Sequence, residues 1–297
     1  MSEALENALM YLVSKTLHTR FHLKFWSELR YHIVAGGTDK FSESVLFNRR
    51  RKTFYMQERY NDEGREIRSD AKTIGELLGR KYTLDYYQRE YRWQTKQVTD
   101  LIDDLTNKFF NNYQAGDQRE QVENYDHYFL GSIIISRTRG KWFIVDGQQR
   151  LTTLTLLLIQ LRQLLEDESQ RGQIASLIFS EKFGQRSFNL DIGERKSIME
   201  ALYSEDPLES FESSDQPESI RNIAARYNDI DNHFELQSEE LPYFADWLLE
   251  RVYLVQITAY DEGDAYTIFE TMNDRGLSIT PAEMLKGHLL ANITDTD

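Results

Sequence analysis

The chain has 297 residues, 40% of them apolar and 12% aromatic, enough for a substantial core in one large domain or two ordinary ones. Cysteine is absent, which excludes disulfides and thiolate metal sites. No run approaches the roughly 18 apolar residues of a membrane span, and Glu3 and Glu6 stand where a signal peptide would be basic, so a soluble, cytoplasmic protein is expected. The net charge of −14 argues against a broadly DNA-binding surface, because phosphates are contacted by Lys and Arg. Most of that acidic excess lies between Leu161 and Glu250. A basic cluster, Arg49-Arg50-Arg51-Lys52, stands outside it and is either a local phosphate-contact patch or a solvated loop.

In chain order, the first 35 residues read as helical, with Leu5, Leu12, Phe21, Phe25 and Leu29 among charges, until Gly36-Gly37-Thr38-Asp39 breaks the pattern. A boundary is placed near residue 68. Ile74, Leu77 and Leu78 make a short helical face, and Tyr82 to Tyr87 looks extended. After Thr95, Val98, Ile102, Leu105 and Phe109 step by four, three and four, which predicts a helix. The polar stretch from Asn111 to Asp126 reads as a loop. Two strand-like runs follow, Tyr128 to Ser136 and Lys141 to Val145, joined by a hairpin turn at Arg137-Thr138-Arg139-Gly140. Leu151, Leu154, Leu158, Leu161 and Leu165 then recur at three- and four-residue steps, predicting an amphipathic helix. Residues 166–250 alternate helical pieces with polar breaks. Tyr253 to Ala259 returns to strand character, and Ala265, Ile268, Phe269 and Met272 mark a helix ended by Gly276. Thr280-Pro281-Ala282-Glu283 is a helix start signal.

Three segments are suited to chemistry. Asp146-Gly147-Gln148-Gln149-Arg150 joins a strand to a helix, and a helix amino end with its unpaired N–H groups is an anion site. Gly147 allows positive φ and close approach of a phosphate. Arg150 can clamp phosphate oxygens, Gln148 and Gln149 can donate or orient a water, and Asp146 can hold magnesium. The alternative is structural: Asp146 as N-cap, with Gln149 closing a capping box. Tyr87-Gln88-Arg89-Glu90-Tyr91-Arg92-Trp93 interleaves arginines with aromatics and suits either nucleotide stacking or core packing. Asn273-Asp274-Arg275-Gly276 is either part of a site or a helix C-cap. His18 and His22 are one helical turn apart without the surrounding signature of a metal site.

Taken in order, YQREYRW at 87–93, FLGSIII at 129–135, VDGQQRLTTL at 145–154 and FETMNDRGLSITPAEMLK at 269–286 resemble the family called domain of unknown function 262. This is the GmrS-like N-terminal part of GmrSD-type, modification-dependent (type IV) restriction enzymes. The resemblance implies an α+β fold: a ParB/sulfiredoxin-like mixed α/β core with a large helical subdomain and an N-terminal helical extension. The expected division is 1–68 extension, 69–165 nucleotide-binding core, 166–250 helical subdomain, and 251–297 a return to the core. It implies that Asp146, Gln148, Gln149 and Arg150 act on a nucleoside triphosphate held also by Gln88, Arg89, Gly147, Asn273 and Arg275, with Mg²⁺ on Asp146. The partners it implies are DNA, modified or not, a His–Asn–His (GmrD-like) nuclease domain or subunit, and a further copy of the chain.

Three functions compete on this reading. The first is an NTP-hydrolysing sensor of a DNA restriction and phage-defence system. The second is a ParB-like module gated by nucleotide without hydrolysis. The third, a self-sufficient metal-dependent nuclease, is disfavoured by the acidic balance and by the absence of a histidine-led metal cluster in the sequence.

Overall fold

The computed structural model describes residues 67–84, 90–138 and 140–273, preceded by two short paired strands, β1 (Phe47–Asn48) and β2 (Thr53–Phe54). The expectations for the first 35 residues, His18 and His22, the basic cluster at 49–52, Gln88, Arg89, Arg275 and the start signal at Thr280 lie outside the described residues.

The remaining elements are β3 (Arg68–Thr73), α1 (Ile74–Leu78), β4 (Tyr82–Leu84), α2 (Thr95–Phe110), β5 (Tyr128–Thr138), β6 (Lys141–Asp146), α3 (Gln148–Leu164) and α4 (Glu168–Ile178). They are followed by β7 (Phe179–Lys182), β8 (Gln185–Phe188), β9 (Leu190–Asp191), α5 (Lys196–Ser204), α6 (Glu218–His233), α7 (Leu241–Arg251), β10 (Val252–Ala259) and α8 (Glu262–Asn273). Six strands form one mixed sheet in the order β3-β10-β5-β6-β4-β9. The β3–β10 and β5–β6 pairs are antiparallel, and the other three pairs are parallel. This is the α+β class the motifs imply.

Local chemistry explains several elements. Thr73 and Glu76 close a reciprocal capping box on α1, with the Glu76 amide 3.1 Å from Thr73 Oγ1 and the Thr73 amide 3.0 Å from Glu76 Oε2. The β5–β6 hairpin forms where alternation and the turn residues place it. Along β5, Ile133 and Ile135 enter the main core while Ile134 faces the opposite side with Val145, Ala259, Ala265 and Phe269. That is the two-residue period of a strand covered on both faces. Helix α8 packs on β5, β6 and β10.

Helix α3 departs from expectation. Every residue from Leu151 to Leu161 is buried, so it is wrapped on all sides rather than amphipathic. It packs against α4, α6 and α7, and each leucine so sealed contributes about 1.5–3 kcal/mol. Of its buried polar residues, Thr155 Oγ1 donates to the Leu151 carbonyl at 2.9 Å and Gln160 Nε2 to Asp231 of α6 at 2.8 Å, while Gln160 Oε1 is buried without a partner among the described residues. The expected loop at 111–126 contains a 3₁₀ turn, Arg119–Asn124, and buries Val122 and Tyr125. Arg119 fastens it to α7 by donating from Nη2 to Asp246 at 2.8 Å. Residues 166–250 carry the β7–β8 hairpin and the edge strand β9 as well as helices.

Candidate functional site

Two β-bulges frame the turn after β6. On β5, Leu130 and Gly131 together oppose the single residue Leu254 of β10, and Gly131 takes φ 110°. On β6, Val145 is the extra residue in the ladder with β5. Bulges of this kind re-aim the side chains around them. Here they bring the start of α3 down against β5.

Gly147 is the N-cap of α3, at φ 92° and ψ 4°. A Cβ there would lie 2.4 Å from Ile133 Cγ2, so both the left-handed backbone and the close contact require glycine. The capping-box alternative for Asp146 and Gln149 does not hold. The cap is Gly147, and no side chain closes it. Leu151 bonds back to the Gly147 carbonyl at 3.0 Å, and among the described residues nothing accepts from the amides of Gln148, Gln149 and Arg150. Three N–H groups and the positive end of a 17-residue helix therefore remain available.

Arg150 lies on the bulge glycine. The position a Gly131 Cβ would take is 3.4 Å from Cζ and both terminal nitrogens of the guanidinium, and Nη1 donates to the Ser132 carbonyl at 3.0 Å. Among the described residues the guanidinium forms no ion pair within 4 Å. Burial lowers its pKa, opposed by the charges of Asp146 and Tyr128. Asp146, half-buried at the end of β6, is raised by burial against the Gly147 N–H it accepts from and the charge of Arg150. A carboxylate and a guanidinium, both short of solvation, thus sit at the amino end of the helix.

The two glutamines are engaged elsewhere. Gln149 Oε1 accepts from the amides of Arg92 at 2.9 Å and Trp93 at 3.3 Å, while its Nε2 donates to the Glu90 carbonyl at 2.8 Å. Gln148 Nε2 reaches the same carbonyl at 3.2 Å. Segment 90–93 is held from its other side by α6, where Ser219 Oγ accepts from the Tyr91 amide at 3.1 Å and Asn222 donates to the Tyr91 carbonyl at 2.9 Å. The Tyr91 ring is buried, with its hydroxyl 2.8 Å from Thr153 Oγ1. The structure therefore joins segment 90–93 to the turn through backbone and glutamine side-chain amides, while Gln88 and Arg89 lie outside the described residues. Asn273 ends α8, and its side chain lies outside the description.

Sequence reasoning missed Arg195. It is 2% exposed, donates to Thr152 Oγ1 at 3.1 Å and Gln148 Oε1 at 3.5 Å, and lies 5.9 Å from the Tyr91 ring centroid. Burial pushes its pKa down to about 10. No local pattern around Gly193-Glu194-Arg195 distinguishes it from a surface arginine. Gly131 was visible in FLGSIII, but its role as the seat for Arg150 needs the fold.

Among the described residues no group of three or more His, Asp or Glu side chains is placed to hold a metal ion, and no helix is long and apolar enough to cross a membrane. Among curated proteins none matches the chain. The model of the family described as GmrSD restriction endonuclease, N-terminal domain, matches residues 71–290, which takes in the turn, the bulged β5 and the tethered segment beside it. The chain belongs to that family and is a restriction-system component.

Proposed function

We propose that this chain is the nucleotide-binding and nucleotide-hydrolysing sensor part of a modification-dependent DNA restriction system, with the phosphates of an NTP seated at the amino end of α3. The observation that carries this reading is the pairing of three unspent amides, released by the left-handed cap at Gly147, with the half-buried guanidinium of Arg150. An anion there compensates a cation that burial has left short of solvation.

Asp146 fits Mg²⁺ in the way such ions are commonly held, by one carboxylate with phosphate oxygens and water completing the shell. Bound there, the ion would supply neutralisation of phosphate charge. The chain's own contribution is to position the phosphates against the helix dipole and Arg150 and to hold the wall at 90–93 in place. The strand–turn–helix supports a ParB/sulfiredoxin-like ancestry for the core. Cleavage of DNA falls to a His–Asn–His nuclease, on the same polypeptide or on a partner. Arg150→Ala and Asp146→Ala are expected to abolish nucleotide turnover while keeping the parent circular dichroism spectrum. Undiminished turnover in both variants refutes the site.

One observation favours a second reading, nucleotide gating without hydrolysis. The side-chain amides of Gln148 and Gln149 both donate to the Glu90 carbonyl, and Gln149 Oε1 accepts from the backbone at 92–93, so neither side chain is poised to orient a water in this arrangement. On that reading a non-hydrolysable analogue changes DNA or partner affinity as fully as the triphosphate does.

A further inference from the structure

We infer that Arg195 is a positioning residue for the amino end of α3, holding Gln148 and Tyr91 so that the open amides stay aimed at a phosphate. The inference rests on the nucleotide reading above and adds to it a residue from outside the motifs. It begins from a helix end that no cap secures. Gly147 lends α3 no side-chain acceptor, and unsecured helix ends fray. Donors stabilise an anion best when they are fixed before it arrives. The first three side chains of α3 are tied outward instead: Arg150 to the Ser132 carbonyl, Gln149 to the backbone at 90–93, and Gln148 at both ends of its amide.

Arg195 makes one of those two ties. Gln148 Nε2 donates to the Glu90 carbonyl at 3.2 Å, and Gln148 Oε1 accepts from Arg195 Nη2 at 3.5 Å, a long bond that a charged donor strengthens. Arg195 Nη1 donates to Thr152 Oγ1 at 3.1 Å, one turn further along, and the guanidinium carbon lies 5.9 Å from the centroid of the buried Tyr91 ring. One group therefore meets the first turn of the helix, its second turn and the segment that walls the site. Tyr91 closes the arrangement through its hydroxyl, 2.8 Å from Thr153 Oγ1.

The guanidinium is itself held from the sheet. Arg195 ends the 3₁₀ turn Gly193–Arg195, its amide donating to the Ile192 carbonyl at 2.9 Å. That turn follows β9, which is paired to β4. Just before β9, Asn189 is buried, with Nδ2 at 2.8, 3.0 and 3.1 Å from the carbonyls of Leu78, Ser176 and Leu177. Gln148 is thus located against the sheet by a route independent of its own helix. Packing alone does not call for an arginine here. At 2% exposure an apolar side chain of similar length avoids the desolvation that pushes this guanidinium's pKa down to about 10. What the apolar chain lacks is the directed fork of donors.

The test is calorimetric titration of the full chain with ATP, GTP, CTP and UTP, the tightest being carried to the variants. Arg195→Met keeps the bulk and removes the donors, and Gln148→Ala removes the acceptor. Each is expected to weaken binding about ten-fold, and the double variant no further, because both changes cut one tie. Leu157→Ala is the control for stability, expected to melt lower and bind like the parent. Should Arg195→Met not fold, Arg195→Lys takes its place in the cycle, keeping the charge without the fork. Unchanged affinity in the Arg195 variant, or losses that multiply in the double variant, would overturn the inference. A parent that binds none of the four sinks it together with the nucleotide reading. Binding weakened by Arg150→Ala but not by the Arg195 variant removes the inference and leaves that reading standing.

Discussion

The first turn of α3 and the turns that follow it obey different rules. From Leu151 to Leu161 every side chain is sealed, and Thr153 and Thr155 return their hydroxyls to carbonyls of their own helix. One turn earlier the same helix has a left-handed cap, three open amides and two charges disfavoured by their surroundings. The body makes the helix immovable, and that rigidity lets its end carry features that would loosen a freely standing helix. Stability and chemistry are thus separated along one element by a single turn.

The comparison is open to attack from both sides. Leu157→Ala, in the sealed body, should cost about 2–5 kcal/mol in urea unfolding while leaving nucleotide affinity unchanged under conditions where the variant is folded. A parallel fall in affinity would show that body and end are not separable. Gly147→Ala comes next: a left-handed alanine costs about 1–2 kcal/mol, and the forced contact with Ile133 adds about 1–3 kcal/mol. Unlike Leu157→Ala, it should also abolish binding in the folded fraction, read by calorimetric titration.

The smallest effect belongs to Asp146→Asn. Burial raises the Asp146 carboxyl above its ordinary 3.8, so the fold favours the protonated form. The stability it lends is fully present below 3.8 and is lost as pH rises through the raised value. Asp146→Asn, which does not titrate, should therefore gain on the parent between acid and neutral pH and then run level with that gain. A constant difference across the range would mean that Gly147 and Arg150 fully offset the burial.

The elements governed by neighbours in sequence were legible without a fold. Val98, Ile102, Leu105 and Phe109 announce α2, and the two alternating runs around Arg137-Thr138-Arg139-Gly140 announce the β5–β6 hairpin. Gly147 announced a positive φ, and it has one. What could not be read depends on long-range packing. Thr152, Thr153, Thr155 and Gln160 look like the polar face of an amphipathic helix, and only the helices around α3 reveal that their hydroxyls and amide are buried. Gln148 and Gln149 looked free for a ligand because the backbone they hold lies more than fifty residues upstream. Arg195 is invisible for the same reason, and β9, two residues long, is too short to carry a pattern.

The bulge at Leu130-Gly131 has a consequence for how this protein tolerates change. Slipping β5 by one residue would carry a side chain beneath the Arg150 guanidinium in place of hydrogen and would turn Ile133, Ile134 and Ile135 to the wrong faces together. The strand is in effect indexed, with the arginine as its pawl. An insertion or deletion within β5 is therefore expected to disturb the core and the seat of Arg150 together, so that the strand's length is inherited along with the site.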